Sequence, residues 1–246
     1  MAPILGLSKY RTAFGVWLDK TGQAPADKPR WIFARGHAME AGILATYAQA
    51  TGRDVQPNAE CMVGAEPWQR GTPDAYVDSD GLADAKSSID WKAWGPEGTY
   101  YTVAEAEAAG AMSLDVLAQG QWYLHITGRN WIDFVVALLP WREEAMAGAL
   151  WESLTAEQWE IVQGAVCAHL LAKSDVRVYR IYRDQPVIDG MVAGCRAWWD
   201  RHIVQGVAPE VDGSDEAGAW VREQATGQDT PRASGHAEGE ILDALN

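Results

Sequence analysis

The stretch GTPDAYVDSDGLADAK, residues 71–86, constrains the fold of this 246-residue chain more than any other. Two short apolar runs flank the sequence DSDG, whose residues favour a tight hairpin turn between strands. Asp74 begins the first predicted strand, and Asp84 and Lys86 are two residues apart on the second. Because side chains alternate along a strand, Asp84 and Lys86 are predicted to lie on one face of the sheet.

The first half of the sequence predicts a mixed α/β order around a small central sheet. Residues 28–53 repeat apolar side chains at helical spacing, with Gly52 as the expected C-cap and Glu40 near the middle of the helix. Three short strands are expected next, at about residues 60–65, 74–78 and 82–86. Residues 90–112 are rich in Gly, Ala, Glu and Trp and are interpreted as a loop or a small insertion.

The second half of the sequence predicts helices that surround two further strands. SLDVLAQGQWYLHITG is expected to form a helix from the N-cap Ser113 to Gly128, and NWIDFVVALL a strand buried on both faces. Residues 142–173 are predicted to be helical. DVRVYRIYRD alternates like a strand, and PVIDGMVAGCRAWWDRHIV is the expected closing helix.

Charge is distributed unevenly along the chain, whose net charge is −14. Residues 205–246 hold nine acids and two arginines, a balance of −7, whereas residues 1–53 hold seven Lys or Arg and three acids, a balance of +4. The overall charge disfavours a simple nucleic-acid binder, but the basic first segment leaves nucleic-acid binding open. We expect one domain over residues 1–205 and an acidic, flexible tail over residues 206–246.

Several classes of protein are disfavoured by what the sequence lacks. There is no run of about 18 apolar residues, as a membrane span requires, and the first residues do not have the pattern of a signal peptide. The three cysteines, Cys61, Cys167 and Cys195, share no CxxC spacing, which disfavours a disulfide framework or a zinc or iron–sulfur site. A cytoplasmic protein without membrane contact is therefore expected.

The hairpin carries the residue types of a metal site that cleaves phosphodiester bonds. If its charged face abuts the helix of Glu40, three carboxylates would converge beside Lys86. Mg²⁺ prefers such oxygen clusters, and two bound ions can hold the attacking and leaving oxygens of a phosphodiester. Lys86 would then orient the attacking water and offset charge on the phosphate. A solvent-facing hairpin with a charged rim is the alternative.

Five sequence blocks occur in the order found in a known family. They are ILGLSKYRTAFGVWLDKTG, RGHAMEAGILATYAQATGR, GTPDAYV with DAK, LAQGQWYLHITGRNWIDFVVALL, and VYRIYRDQPVIDGMVAGCRAWWDRHIVQGVAPEVDGS. They resemble the opening Ser turn, the GxxxE helix, the PD-(D/E)-x-K signature, the Q-x-Q helix with its strand, and the closing segment of the phage lambda-type exonucleases, or YqaJ-like viral recombinases. The blocks cover roughly residues 4–140 and 175–214.

This resemblance implies a restriction-endonuclease-like α/β core, with a small mixed central sheet flanked by helices. It implies a Mg²⁺-dependent exonuclease, with Mn²⁺ as the alternative ion, that resects double-stranded DNA ends in the 5′-to-3′ direction for recombination. It also implies a phage or prophage origin, action in the bacterial host cytoplasm, a ring-shaped homotrimer, and a single-strand annealing protein as partner.

The resemblance also implies roles for individual residues. The implied metal ligands are Glu40, Asp74, Asp84 and the backbone carbonyl of Ala85, with Lys86 serving the nucleophilic water. Gln119 would hydrogen-bond near the metals or the scissile phosphate, with an exposed helix position as its alternative. The expected DNA contacts are Ser8, Lys9, Arg11, Arg35 and Gln121. For Ser8, a role as a helix N-cap is the alternative to DNA contact.

Three departures from the family pattern leave other functions open. Asp84 stands where the family often has Glu, and residues 142–173 have no clear counterpart, so they are expected to be an insertion or variable segment. The family's arginine ahead of the Ser turn, which helps to hold a 5′-phosphate, has no counterpart. The two alternatives are that Lys9 or Arg11 replaces it and that the preference for a 5′-phosphate is weaker. The alternatives are a structure-specific or site-specific endonuclease, a catalytically inactive DNA-end-binding module, and an α/β interaction protein.

Overall fold

A mixed β-sheet forms the centre of the computed structural model, which describes residues 1–24 and 29–226. The strands of these residues are β1 (Val55–Pro57), β2 (Met62–Val63), β3 (Arg70–Gly71), β4 (Ala75–Val77), β5 (Gly81–Ser88), β6 (Gly98–Tyr100), β7 (Trp131–Leu138) and β8 (Asp175–Tyr182). Six of them form one sheet in the order β1-β4-β5-β7-β8-β6, and β2 pairs separately with β3.

Helices cover both faces of this sheet. They are α1 (Ala13–Lys20), α2 (Trp31–Thr51), α3 (Val103–Ala108), α4 (Leu114–Thr127), α5 (Trp141–Glu152), α6 (Ala156–Lys173), α7 (Gln185–Trp199) and α8 (Asp215–Thr226). A single 3₁₀ turn, Trp91–Ala93, follows β5, and a π-helical turn, Asp200–Val204, extends α7. Within the described residues, no helix has both the length and the apolar character that crossing a membrane requires.

The strand pairing mixes both directions, as the sequence predicted. β4 and β5 form an antiparallel hairpin, and β5 pairs in parallel with β7 over its whole length. β8 then runs antiparallel to β7 and parallel to β6. Every residue of β7 is buried, which confirms that its continuous apolar run marks a central strand. The predicted α/β fold with a small mixed central sheet is therefore confirmed.

The alternation of side chains along β5 decides what each face of the sheet contacts. Ala83 and Ala85 belong to the apolar cluster that includes Met39 and Ile43 of α2. Leu82 belongs to the opposite cluster, which includes Leu117 and Leu124 of α4. Because the side-chain period along a strand is two residues, Asp84 and Lys86 share the face of Leu82, toward α4.

The long helices end where their cap residues predicted. Gly52 follows α2 with φ 68° and Gly128 follows α4 with φ 70°, the left-handed conformation that only glycine adopts easily. Residues 142–173 are helical as expected but form two helices, α5 and α6. Thr155 starts α6 with a capping box, in which its side chain and that of Gln158 each accept from the other's backbone N–H.

Residues 90–112, expected to form a loop or insertion, contain regular structure. β6 in this segment pairs with β8 and closes one edge of the sheet. α3 follows, and the side chain of Thr102 caps it by accepting from the backbone N–H of Glu105. Both elements are too short to show a periodic sequence pattern. Their stability comes from contacts with distant parts of the chain rather than from local sequence, so the sequence alone does not reveal them.

The expected flexible tail is also partly wrong, because α8 packs on the body of the protein. Ala217 is fully buried, and the ring of Trp220 meets Phe14 at 5.5 Å and Trp17 at 6.0 Å, edge to face in both cases. The indole N–H of Trp220 donates to Gln23 at 2.9 Å. The folded part therefore extends past the expected boundary at residue 205. Residues 227–246 of the predicted tail lie outside the described residues.

Candidate active site

Asp74 lies immediately before β4, where the pairing of β4 with β5 ends. Ala75 of β4 pairs with Ala83 of β5, so Asp74 and Asp84 occupy the next opposing positions. β4 does not extend to these residues, and the backbone N–H of Ala85 instead donates to Oδ2 of Asp74 at 2.8 Å. The carboxylate thus replaces a missing strand as acceptor. This hydrogen bond fixes Asp74 against the strand that carries Asp84.

Asp84 and Lys86 form a close ion pair on β5, as their spacing predicted. Lys86 Nζ lies 2.5 Å from Oδ2 of Asp84, and the Asp84 side chain is only 2% exposed. Oδ2 of Asp84 receives no well-aligned hydrogen bond from any described residue. The Lys86 ammonium therefore balances the charge of this oxygen but leaves it able to accept a further donor. A carboxylate oxygen offers more than one lone pair, so this one can still coordinate a cation.

Glu40 does not join the other two carboxylates as predicted. It lies on α2, and its Oε2 is 3.5 Å from Nδ1 of His37, whose side chain is 89% exposed. Among residues 1–24 and 29–226, no three Asp, Glu, His or Cys side chains stand together as metal ligands would. Asp84 is instead paired with Lys86, and Glu40 with His37. The three acids therefore do not form a common ligand set in this arrangement of side chains, and their convergence around a bound metal stays a prediction.

The four charged groups nevertheless act on one another electrostatically. Burial and then the charge of Asp84 raise the pKa of Asp74 to about 7. Burial raises the pKa of Glu40 as well, and Asp84 adds to the rise. Burial alone would lower the pKa of Lys86, but the attraction of Asp84 outweighs it and the pKa is raised. An excess of negative charge held out of water favours a bound cation.

The donor atoms at this point of β5 suit a hard divalent cation. Asp74 and Asp84 offer carboxylate oxygens, and Oδ2 of Asp84 is the buried oxygen that lacks a hydrogen bond. The N–H and C=O of one strand residue point to the same side, so the carbonyl of Ala85 faces the gap in which Asp74 lies. Mg²⁺ and Mn²⁺ prefer oxygen ligands of this kind. The residues present therefore fit a divalent metal ion.

Gln119 projects from α4 toward the same face of the sheet. Its amide nitrogen donates to the phenolic oxygen of Tyr123, one helical turn further on, at 2.9 Å. The charges of Asp84, Lys86 and Asp74 all act on Tyr123. Sequence reasoning missed Tyr123, although its i,i+4 spacing from Gln119 places both side chains on one helix face.

Ser8 lines a surface cavity next to these residues. Ser8, Arg70, Gln119 and Tyr123 line it together. Ser8 is not a helix N-cap, because α1 begins after Thr12, whose side chain accepts from the backbone N–H of Gly15. Arg70 was not predicted as a site residue, because an arginine in a two-residue strand such as β3 has no distinctive sequence pattern. It places a cation on the wall of the cavity.

Two of the residues expected to contact DNA are buried and have other partners. Arg35 is 2% exposed, pairs with Glu144, and donates to the hydroxyl and carbonyl oxygens of Ser87. Gln121 is fully buried, donates to the carbonyl of Tyr182 and accepts from the N–H of Asp184. These two predictions are wrong, because both side chains join α2 or α4 to distant parts of the chain.

Lys9 and Arg11 differ in their surroundings. Lys9 is exposed and lies over the ring of Tyr10 at 5.1 Å, so it remains a candidate for phosphate contact. Arg11 forms ion pairs with Asp19 at 2.5 Å and Glu216 at 3.8 Å, and its guanidinium also donates to the carbonyl of Gly15. The expectation that Arg11 replaces the family's phosphate-binding arginine is therefore not supported by its contacts.

The sheet order, the β4–β5 hairpin and the flanking helices define a restriction-endonuclease-like α/β fold. Residues 1–130, more than half of the chain, match the family of YqaJ-like viral recombinase domains. The chain therefore belongs to this family, as its five sequence blocks indicated. A comparison with curated protein sequences gives no match.

Solved structures of exonucleases share the fold. An alkaline exonuclease (LHK-Exo) from Laribacter hongkongensis has a TM-score of 0.54 and 17% identity, with 92% of this chain and 90% of that chain covered. A structure of LHK-Exo in complex with dAMP gives the same TM-score and coverage at 18% identity. A phage-related exonuclease from Haemophilus somnus 129PT has a TM-score of 0.51 and 16% identity, with 79% and 82% covered. Identities this low establish the fold and not the substrate.

Proposed function

We propose that the protein is a Mg²⁺-dependent deoxyribonuclease, a phage-type exonuclease that digests double-stranded DNA from its ends in the 5′-to-3′ direction. The observation that carries this proposal is the placement of Asp74, Asp84 and Lys86. The buried Asp84, the half-buried Asp74 and Lys86 meet where the pairing of β4 with β5 ends, and one oxygen of Asp84 lacks a hydrogen bond. Membership of the recombinase family and the likeness to solved structures of exonucleases support the choice of reaction.

The metal would be held by Asp74, Asp84 and the carbonyl of Ala85, and Glu40 would be a further ligand. When bound, Mg²⁺ or Mn²⁺ would supply charge stabilisation and a more acidic water. Lys86 would orient the attacking water and offset charge on the scissile phosphate, since its ammonium is held 2.5 Å from Asp84 and is still 28% exposed. Gln119 would hydrogen-bond to the phosphate.

The cavity lined by Ser8 and Gln119 would hold the strand end next to the metal. Arg70 lines this cavity and would take the phosphate-binding role expected of Lys9 or Arg11. One structural neighbour was solved with dAMP, so a nucleotide is a ligand of that enzyme. The family resemblance is the basis of the proposed 5′-to-3′ direction, in which a strand with its 5′-terminal phosphate in this cavity would be cut from that end.

The wider biology of the proposal follows from the family. Resection of double-stranded ends would produce single strands for recombination, and a single-strand annealing protein would receive them. A homotrimer around the DNA and action in the cytoplasm of a bacterial host belong to the same proposal. Analytical ultracentrifugation with and without a duplex would test the assembly, and a monomer under both conditions would contradict it.

The decisive experiment compares an end-labelled linear duplex with the same plasmid as a closed circle, in Mg²⁺ and in EDTA. Metal-dependent loss of the linear DNA alone is expected, with the 5′ label released first. Cutting of the closed circle would instead establish an endonuclease on the same fold. Binding to ends without cleavage of either DNA would establish an inactive end-binding module.

A further inference from the structure

Tyr123 is held in one orientation by two independent contacts. The amide nitrogen of Gln119 donates to its hydroxyl oxygen at 2.9 Å. Its ring lies against Gly71 of β3, where an added Cβ would be only 2.8 Å from Cε1 of the ring. No side chain other than hydrogen leaves room for the ring there, since contacts under about 3 Å are repulsive. The ring is therefore fixed between α4 and the segment that leads to Asp74.

The hydrogen bond from Gln119 leaves the phenol with a proton to donate. A tyrosine hydroxyl has one proton and acceptor lone pairs, and Gln119 occupies an acceptor site. Burial, and then the charge of Asp84, raise the pKa of Tyr123 to about 12, so the hydroxyl stays protonated throughout the range in which a nuclease works. Tyr123 is thus a neutral donor beside a group of charged residues.

The surroundings of this hydroxyl indicate what it would donate to. Tyr123 lines the same cavity as Ser8, Arg70 and Gln119, in which the strand end would lie. The charges of Asp84 and Lys86 also act on it. A DNA strand that passes from the cavity to the metal site would therefore carry its phosphate oxygens past Tyr123.

We propose that Tyr123 is a catalytic residue, whose hydroxyl donates a hydrogen bond to a non-bridging oxygen of the scissile phosphate and is held in position by Gln119. This inference rests on the proposed nuclease function and assigns a further residue to the same site. A preorganised donor stabilises charge that develops on the phosphate in the transition state, so its loss lowers kcat more than it weakens binding.

The proposal separates the roles of the ring and the hydroxyl. Packing against Gly71 needs only the ring, which phenylalanine retains. The contact with Gln119 and with the phosphate needs the hydroxyl. A purely structural role predicts that Tyr123→Phe changes the melting temperature and leaves kcat alone, whereas the proposed role predicts the reverse.

The test measures kcat and KM of the full chain on a linear duplex in Mg²⁺ for wild type, Tyr123→Phe and Tyr76→Phe. Tyr76 is a matched control, because it lies on β4 and packs against the same apolar cluster, but its ring lies under Arg129 and the Gln119 amide donates to Tyr123 instead. We expect Tyr123→Phe to lower kcat by about 10- to 100-fold, as loss of one of several transition-state donors does. KM should change less than about threefold, and Tyr76→Phe should match wild type.

A second pair of variants tests the link to Gln119. Gln119→Ala should lower kcat, and adding Tyr123→Phe to it should lower kcat by less than the product of the single effects, because the two residues act as one unit. Wild-type kcat for Tyr123→Phe, or multiplicative effects in the double variant, would overturn the proposal. If wild type itself fails to digest the duplex, the proposed nuclease function is wrong, and this result is distinct from any result for Tyr123.

Discussion

The carboxylate of Asp74 accepts a hydrogen bond from the backbone N–H of Ala85 at 2.8 Å, and this bond joins the two halves of the candidate metal site. Asp74 precedes β4, whereas Ala85 lies between Asp84 and Lys86 on β5. The hairpin register sets the two acids opposite each other, and the hydrogen bond then fixes the side chain. The site is therefore organised by backbone pairing, which explains why a short hairpin sequence can predict it.

Substitutions at the two acids and the lysine of the candidate site should remove cleavage and preserve the fold. Asp74→Asn, Asp84→Asn and Lys86→Met are each expected to lower kcat by at least about 10³-fold, since each removes a charge that acts on the phosphate, the metal or the attacking water. Digestion of a labelled linear duplex measures the loss, and circular dichroism checks the fold.

Glu60→Gln and Lys92→Met are matched controls, because they remove the same kinds of charge from exposed positions of the neighbouring loops. Both are expected to digest DNA at the wild-type rate. An Asp74, Asp84 or Lys86 variant that digests DNA as fast as these controls would remove that residue from the site.

The raised pKa of Asp74 predicts a pH-dependent stability of the metal-free protein. The folded-state pKa is about 7, above the value near 4 of an unfolded chain, so the folded state binds the proton more tightly. This stabilisation is complete below about pH 4 and is lost as pH rises through about 7.

Thermal melts in EDTA at pH 5 and pH 8 would measure the effect of Asp74 on stability. The melting temperature should fall more from pH 5 to pH 8 in wild type than in Asp74→Asn. The amide of the variant cannot ionise, and its oxygen can still accept a hydrogen bond from the N–H of Ala85. At pH 8 the variant should melt at or above wild type. Equal pH dependence in both proteins would contradict the raised pKa.

The prediction from sequence succeeded where the cause of the structure is local. The turn residues of DSDG fixed the β4–β5 hairpin, the strand period fixed the shared face of Asp84 and Lys86, and Gly52 and Gly128 fixed two helix ends. It failed where a distant partner decides the outcome. Gln121 can be buried because its amide donates to the carbonyl of Tyr182 and accepts from the N–H of Asp184. Nothing in the sequence near Gln121 indicates these distant partners.

The buried pair of Arg35 and Glu144 should matter for stability and not for DNA binding. The partners are 109 residues apart and join α2 to α5. Replacing Glu144 by Gln leaves a buried guanidinium without its counter-charge, which costs about 3–5 kcal/mol when one partner of a buried pair is removed. Urea denaturation should show this loss. An equally stable variant with weaker DNA binding would restore Arg35 as a DNA contact.

Arg70 should contribute a phosphate contact that depends on salt. Arg70→Gln is expected to weaken binding to a linear duplex and to reduce the slope of log K against log salt by about 1, since one fewer counterion is displaced. Both the protein with Arg70 and the Arg70→Gln variant also carry Lys86→Met, which keeps the DNA intact during the measurement.

Arg142→Gln on the exposed side of α5 is the matched control for Arg70, because its guanidinium lies over Trp141 and away from the cavity. It should bind DNA with the wild-type affinity and salt dependence. An unchanged salt slope for Arg70→Gln would exclude a direct phosphate contact, and an equal loss in both variants would indicate a general charge effect.

The packing of α8 on α1 makes a prediction about the extent of the folded domain. Trp220 contacts Phe14, Trp17 and Gln23, so Trp220→Ala removes two aromatic contacts and a hydrogen bond. Truncating a buried Trp costs about 3–5 kcal/mol, and a partly buried one should cost less, up to about 3 kcal/mol. Val221→Ala, at a position 45% exposed on the same helix, should change the free energy of unfolding by less than about 0.5 kcal/mol. Urea denaturation of both variants measures the difference. Equal stability of Trp220→Ala and Val221→Ala would show that α8 contributes little to the fold and would support a boundary near residue 205.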